Sequence, residues 1–219
     1  MAEARSAILS RLRTAGDEGP LPGLDMTVMA RRKWSPTERV AKLRMGMEAV
    51  RAEFLEATVD DWPAVVRSFC EKEGVRNLLY GPTGGAGQAL AAAWLPGGPQ
   101  LVPYTERVER LKDTLFNRID AGFTSTLGGV AETGGLLLEP GPEEPRLLSL
   151  VPPIHLALLF ASAIEDTLWS AIRKGRWGGA AAHALLISGP SKTADIEQTL
   201  AYGVHGPRRL VVVLVDDLA

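Results

Sequence analysis

The sequence predicts an α/β fold with a mostly parallel sheet, helices on both of its faces and a helical extension at the N-terminus. Three observations carry this reading. Short apolar runs, such as 155–160, 184–188 and 210–215, have the character of buried strands. Segments with apolar residues at helical spacing lie between them, and Gly- or Pro-containing turns separate the two kinds. Continuous apolar strands divided by helices point to a parallel sheet, because crossover helices bury both of its faces. A chain of 219 residues has room for one well-buried domain and is short for two.

In chain order, Ile8, Leu9 and Leu12 predict an amphipathic helix over 1–15 that docks on the body, and Pro20 and Pro22 mark 16–23 as a linker. The expected division is thus an N-terminal helix and linker over 1–33 and a single globular domain over 34–219. Ser35-Pro36-Thr37-Glu38 opens a helix, with Ser as N-cap, Pro at the first helical position and Glu three residues after the cap. Its buried stripe is Val40, Leu43, Met47 and Val50. A strand is expected over 53–59. Asp61 then caps a helix with Val65, Val66, Phe69 and Cys70 inward and Gly74 as its stop. Next come a strand over 76–80, a helix over 88–94, a short strand at 101–102 and a helix carrying Val108, Leu111, Leu115 and Ile119. From Gly122 onward, Gly and Thr interleave with short apolar pieces, which favours β-ribbon. Strand 155–160 follows, and Ser162-Ala163-Ile164-Glu165 predicts a second capping box, opening a helix that closes at Gly175. The chain finishes with strand 184–188, helix 195–202 stopped by Gly203, and strand 210–215.

Composition excludes several function classes. The 24 basic and 26 acidic residues give a net charge of −2, so there is no nucleic-acid footprint, and Arg31-Arg32-Lys33 is expected in a solvated loop. A single cysteine, Cys70, excludes an intramolecular disulfide framework and any cysteine-ligated cluster held by this chain alone; its place on a helical stripe makes it a core thiol. No uninterrupted apolar leader opens the sequence, and no apolar stretch reaches the roughly 20 residues of a membrane helix. The expectation is a cytoplasmic protein without a membrane span.

Three constellations could carry chemistry. Gly81-Pro82-Thr83-Gly84-Gly85-Ala86-Gly87 follows a strand and precedes a helix, the place for an anion cradle, with Gly84 and Gly85 as contacts. It lacks the Gly-Lys-Ser/Thr of a phosphate-binding loop, and Leu90 stands where a dinucleotide fingerprint needs its third glycine. Glu132-Thr133-Gly134-Gly135 offers a carboxylate bounded by glycines, able to serve as base, nucleophile or ligand contact, or to sit in water on a hairpin turn. Ser188-Gly189-Pro190-Ser191-Lys192-Thr193-Ala194-Asp195-Ile196-Glu197 concentrates hydroxyls, a basic group and a helix start after a strand, at the carboxyl edge of the sheet. The Ser191 and Thr193 hydroxyls, Lys192 and the helix N–H groups suit a carboxylate or phosphate, whereas Asp195 is equally a plain N-cap. Catalytic assignment stays open between Glu132 and Asp195. His205 lies before the last strand, at the opposite sheet edge unless a bend or a neighbouring subunit brings it in. His155, His183 and His205 lack metal-ligand spacing, so no metal site is expected, and no G-x-S-x-G elbow is present.

Asp120-Ala121-Gly122-Phe123-Thr124, Ala131-Glu132-Thr133-Gly134, the segment from Arg146 through Ser149 to His155, the decapeptide 188–197 and Gly203-Val204-His205-Gly206-Pro207 together resemble the LUD-domain family, in its lactate-utilisation protein C branch. The resemblance implies a three-layer α/β/α domain like that of ribose-5-phosphate isomerase, glucosamine-6-phosphate isomerase and the coenzyme A transferases. It implies a non-redox subunit of a system oxidising L-lactate to pyruvate, with two partner proteins carrying the iron–sulfur clusters and no cofactor in this chain. The candidate ligand contacts are Thr124, Glu132, Thr133, Gly134, Ser188, Gly189, Pro190, Ser191, Lys192, Thr193, Asp195 and Glu197, with His155 and His205 as secondary candidates, around a small anion. A stand-alone enzyme or binding module for a sugar phosphate or acyl coenzyme A is the alternative. Whether the chain is itself catalytic, and whether it forms a homo-oligomer, stays open.

Overall fold

A computed structural model describes residues 2–15, 27–178, 182–194, 200–203 and 205–218. Asp195 and Glu197 of the decapeptide, and the expected linker, lie outside the described residues. The chain divides into two compact units, Met1–Arg31 and Arg32–Ala219. The first contains helices α1 (Ala2–Ala15) and α2 (Thr27–Ala30).

The second unit is built on a six-stranded sheet. In chain order its parts are α3 (Pro36–Glu48), β1 (Glu53–Thr58), α4 (Trp62–Lys72), β2 (Asn77–Tyr80), α5 (Gly85–Ala93), β3 (Gln100–Pro103), α6 (Val108–Asn117) and β4 (Ala121–Ser125). Then follow β5 (Gly128–Val130), β6 (Gly135–Leu138), α7 (Leu147–Leu150), β7 (Ile154–Phe160), β8 (Ile164–Glu165), α8 (Leu168–Arg173), β9 (Leu185–Ile187), β10 (Lys192–Ala194), β11 (Leu200–Tyr202) and β12 (Arg209–Asp216). The main sheet runs β1-β12-β7-β4-β2-β3 with every neighbouring pair parallel. A second sheet, β8-β5-β6-β9, is mixed, and β10 pairs with β11 antiparallel.

Local chemistry explains the elements that position the site. At α3, the Glu38 N–H donates to Ser35 Oγ and the Ser35 N–H to Glu38 Oε2, the reciprocal cap that the sequence predicts. The helix then turns Leu43 and Met47 inward. Helix α4 buries Trp62, Val66, Phe69 and Cys70, and the chain leaves it through Gly74 at φ +69, a left-handed conformation that favours glycine. Burial pushes the Cys70 thiol up to about 12, as befits a core sulfur. Strands β7 and β12 are apolar throughout their middles because both faces of the sheet are covered.

One face packs on α4 and α5: Phe123, Leu156, Leu158, Val211 and Val213 meet Trp62, Val66, Phe69 and Leu90. On the other, Ala157, Leu159, Leu210 and Val212 meet Leu43 and Met47 of α3 and Leu136 and Leu138 of the second sheet. Leu79 meets Leu111, Leu115 and Leu148 from α6 and α7. The layers are therefore helix, parallel sheet, and a third layer shared by helices and the small sheet.

Four sequence expectations change. Residues 162–165 do not open a helix: 161–163 form one 3₁₀ turn, β8 follows, and α8 starts later, with Thr167 and Ser170 as its capping box. Glu165 is buried instead, meeting Lys174 Nζ at 2.7 Å and Arg176 Nε at 2.9 Å. The expected helix 195–202 is replaced at its described end by strand β11. The strand after residue 184 joins the small sheet, antiparallel to β6, rather than the main one. The expected ribbon from Gly122 begins as β4, a parallel strand of the main sheet, and only β5 and β6 form the hairpin.

The stacked Trp62 and Phe123 rings, 5.7 Å between centroids, join α4 to β4. Phe123→Ala should cost about 3–5 kcal/mol in urea unfolding, the usual range for emptying a buried aromatic site. A loss below about 1 kcal/mol, typical of a surface position, would contradict this packing.

Candidate functional site

Strand β7 enters the sheet between β4 and β12, and its second residue is a histidine whose register neighbours are Gly122 and Leu210. His155 is 1% exposed. Its Nε2 lies 2.8 Å from Oγ1 of Thr124, itself buried in β4. Its Nδ1 has no hydrogen-bond partner among the described residues. Burial lowers the imidazole pKa to about 3, so the ring is neutral at physiological pH.

The hydrogen-bond inventory chooses the tautomer. If Nε2 donated to Thr124, two buried groups would lack partners: the Thr124 hydroxyl hydrogen and the Nδ1 lone pair. If the Thr124 hydroxyl donates to Nε2, one group remains, the Nδ1–H. Each unpaired buried polar group costs about 1–3 kcal/mol, so the second arrangement is favoured. His155 then presents an N–H donor.

His155 also lines a cavity of about 140 Å3, with Ser149, Leu150, Ile187, Gly189, Ser191, His205, Gly206, Pro207 and Leu210. The surrounding chain is tied down by backbone bonds. Ser191 N donates to Pro207 O at 2.8 Å, Gly203 N to Ser191 O at 3.0 Å, and Arg208 N to Pro153 O at 2.8 Å. A side chain at Gly206 would place its Cβ 3.3 Å from Ser191 Oγ, so glycine there leaves the hydroxyl its room. No carboxylate is among the described lining residues, whereas two imidazoles and two serine hydroxyls are.

The pocket corrects the placement of the decapeptide. Its lining comes from segments that precede β7 and β12 or open them, so it lies at the amino ends of those strands, not at the carboxyl edge. The reason is topological: β9 belongs to the small sheet, and the chain after it returns to pair with Pro207. His205, expected at the opposite edge from the decapeptide, therefore lines the same cavity as Gly189 and Ser191. Pro190 is buried, Ser188 and Lys192 are exposed, and Thr193 lies in β10. With β10 and β11 forming strands, the helix N-terminus expected to receive an anion is not part of the described site.

Glu132, Thr133 and Gly134 are not in the lining of this pocket. Glu132 forms an ion pair with Arg32, a residue expected in a solvated loop, while its N–H donates to Asp166 O at 3.0 Å. Asp166 in turn accepts from Trp34 N at 2.9 Å, and Arg39 donates to Ile164 O at 2.6 Å. Gly134, at φ +66, lies against Gly46 of α3, where an added Cβ would come within 2.9 Å of backbone. This motif fastens the segment before α3 and the helix itself to the small sheet. Asp120 has a similar anchoring place, accepting from Arg76 N and Asn77 N at the start of β2.

The 81–87 loop is shaped by close backbone approach. A Cβ at Gly87 would sit 1.8 Å from Gly81 O, and one at Gly81 would sit 2.0 Å from Glu143 O. A Cβ at Gly84 would lie 3.6 Å from Glu144 Oε1 and 3.7 Å from Glu143 Oε2, while Gly85 is exposed. Two carboxylates so near the loop disfavour a phosphate there. Sequence reading missed Glu144, which has no motif around it. Burial raises its pKa, against the lowering effect of hydrogen bonds from Ser125 Oγ at 2.9 Å and Ser125 N at 3.0 Å. It borders a separate cavity of about 40 Å3 with Thr124, Arg146 and Ser149. Ser149 was legible only as part of the segment ending in His155.

The LUD domain sequence profile matches residues 40–215. An uncharacterized protein of Neisseria meningitidis serogroup B, NMB1437, is 38% identical over 183 residues, covering 83% of this chain and 78% of its own. Lactate utilization protein C of Bacillus pumilus is 25% identical over 203 residues, covering 84% and 80%. A crystal structure of a DUF162 family protein from Deinococcus radiodurans aligns with a TM-score of 0.57 at 22% identity, over 84% of this chain and 99% of that one. It shows the shared fold.

The buried imidazole sets a pH dependence. The unfolded ring takes up a proton near 6.5, the folded ring only near 3, so between these values the unfolded state binds more protons. The contribution is complete above pH 6.5 and is lost as pH falls toward 3, up to roughly 5 kcal/mol in all. Urea unfolding from pH 7 to pH 4 should show a steeper loss for the wild type than for His155→Asn. Parallel curves would contradict a buried neutral imidazole.

Proposed function

The chain belongs to the LUD domain family, and from that premise we propose that it is a non-redox component of an L-lactate oxidation system, holding a small carboxylate beside His155. The observation that carries the ligand assignment is the cavity itself. Two residues of the 188–197 decapeptide, Gly189 and Ser191, face a buried imidazole donor and His205, with no carboxylate among the described lining to repel an anion. Relatives bearing the name lactate utilization protein C support the metabolic role.

Size discriminates between ligands. A cavity of about 150 Å3 accommodates benzene, a molecule of six heavy atoms. The present one, at about 140 Å3, matches lactate or pyruvate, also six heavy atoms, whereas a sugar phosphate or coenzyme A would extend out of it. The carboxylates beside the 81–87 loop also weaken the phosphorylated-ligand alternative.

Oxidation of lactate to pyruvate releases two electrons and two protons. In this reading the electrons pass to iron–sulfur clusters in two partner proteins, in the cytoplasm, while this chain binds and orients the acid. No helix among the described residues is long and apolar enough to cross a membrane. The imidazole and serine hydroxyls supply hydrogen bonds, and Leu150, Ile187 and Leu210 supply apolar wall.

Thermal denaturation with L-lactate, pyruvate, glucose 6-phosphate and acetyl coenzyme A tests the ligand assignment. At 100 times its dissociation constant a ligand stabilises by about 2.7 kcal/mol, which for a domain of this size raises Tm by roughly 5–10 °C. Lactate or pyruvate should give that shift. A shift with the phosphorylated compounds and none with the small acids would overturn the reading.

A further inference from the structure

The cavity beside Glu144 and the cavity beside His155 share a wall. Ser149 lines both, and Thr124 lines the first while bonding His155 Nε2 at 2.8 Å. The two are also joined along the chain, because residues 144–152 lie along β4. Glu144 meets Ser125 at the carboxyl end of that strand. Further along, a Cβ at Gly122 would come within 2.2 Å of Leu148 O and 2.9 Å of Pro152 Cγ. Ser149 and Leu150, which line the His155 cavity, belong to this same ribbon. It therefore connects the carboxyl edge of the main sheet to the candidate ligand site at the amino edge.

Leu148, fully buried, anchors the middle of the ribbon against Leu79, Leu111 and Leu115. Ahead of it, the Glu144 carboxylate accepts from Ser125 Oγ at 2.9 Å and from Ser125 N at 3.0 Å. Ser149 Oγ donates to Arg146 O at 3.1 Å, which ties the cavity wall to the stretch that Glu144 holds. A segment fixed at one point can pivot about it, and a second point sets its orientation. The second point here is next in sequence to Thr124, the residue that bonds His155. The contact is balanced between opposing effects. Burial raises the Glu144 pKa, as does the neighbouring Glu143 charge, while the Ser125 bonds lower it, so water competes with Ser125 for the carboxylate. Glu139 and Arg146 are the other charged residues lining its cavity.

We propose that Glu144 is a latch for the His155 pocket: pinned on Ser125 it fixes the wall that carries Ser149 and Leu150, and released it lets that wall give and weakens the hold on the acid. This rests on the small-carboxylate reading above and adds a regulating contact at the opposite edge of the sheet. Glu144 is a positioning residue, since it lies outside the lining of the His155 cavity and acts through the ribbon. The coupling is reciprocal. An acid seated in the pocket strengthens the Glu144–Ser125 contact by the factor by which that contact strengthens acid binding.

Titration calorimetry with L-lactate and pyruvate, on the wild type, Glu144→Ala and Glu144→Gln, tests this. Glu144→Ala should bind both acids roughly five- to tenfold more weakly, the worth of one hydrogen bond. Glu144→Gln keeps an acceptor oxygen for Ser125 and should bind them as the wild type does. Wild-type affinity in Glu144→Ala, or an equal loss in Glu144→Gln, would overturn the inference and leave the small-carboxylate reading standing. Binding of neither acid by the wild type would overturn both. A measurement on the wild type alone is independent of how the variants fold. The Ser125 amide donates to Glu144, so its hydrogen exchange reports the latch. Saturating L-lactate should slow that exchange by roughly the same five- to tenfold factor. An unchanged Ser125 exchange rate in the lactate-bound protein would overturn the inference.

Discussion

An imidazole held inside a parallel sheet has two nitrogens to satisfy, and a neighbouring strand can reach only one of them. In this protein the reachable nitrogen is Nε2, which meets Thr124 across the β4–β7 pairing. The register requires it: His155 stands opposite Gly122, so no side chain on β4 crowds the ring, and Thr124 two residues further along is close enough to bond. A Cβ at Gly122 would itself run into Leu148 O at 2.2 Å, which ties the open position beside the ring to the docking of α7. With the hydroxyl as donor this bond sets the tautomer of the ring, while burial keeps the ring neutral. The cavity beside it is where the remaining nitrogen can be satisfied.

The polar motifs separate into two kinds of work. Asp120, Glu132 and Gly134 hold elements together: β2 to β4, the segment before α3 to the small sheet, and α3 to the β5–β6 hairpin. The segment from Ser149 to His155, the 189–191 turn and the 205–207 turn converge on the cavity. Residues distant in sequence meet there because β7 and β12 are adjacent and parallel, which puts the turns that enter both strands at one edge. The main-sheet edge that holds the 81–87 loop is lined instead by Glu143 and Glu144. The two edges therefore differ in charge: carboxylates flank the 81–87 loop, and none is among the described residues lining the His155 cavity.

Features written locally were legible in the sequence. The cap at Ser35, the inward stripe of α4, the buried thiol and the apolar middles of β7 and β12 all depend on neighbours within a few residues. Features that depend on remote partners were not. Ser162 and Glu165 have the spacing of a capping box, yet Glu165 is claimed by Lys174 and Arg176, and the box forms at Thr167 and Ser170. The apolar run before Ser188 identified a strand but not its sheet, and the sheet decides which edge the following loop reaches. His155 was visible only as a secondary candidate, because burial and the orphaned Nδ1 arise from tertiary packing. Glu144 had no local signal, since its burial and its bonds to Ser125 join segments nineteen residues apart.

The claim on which the account turns is that the cavity beside His155 is the ligand site. A crystal structure grown with L-lactate tests it most directly. The account predicts the acid within the cavity, against His155, Ser191 and His205. An acid bound at the 81–87 loop or beside Glu132, with the His155 cavity holding only water, would contradict it.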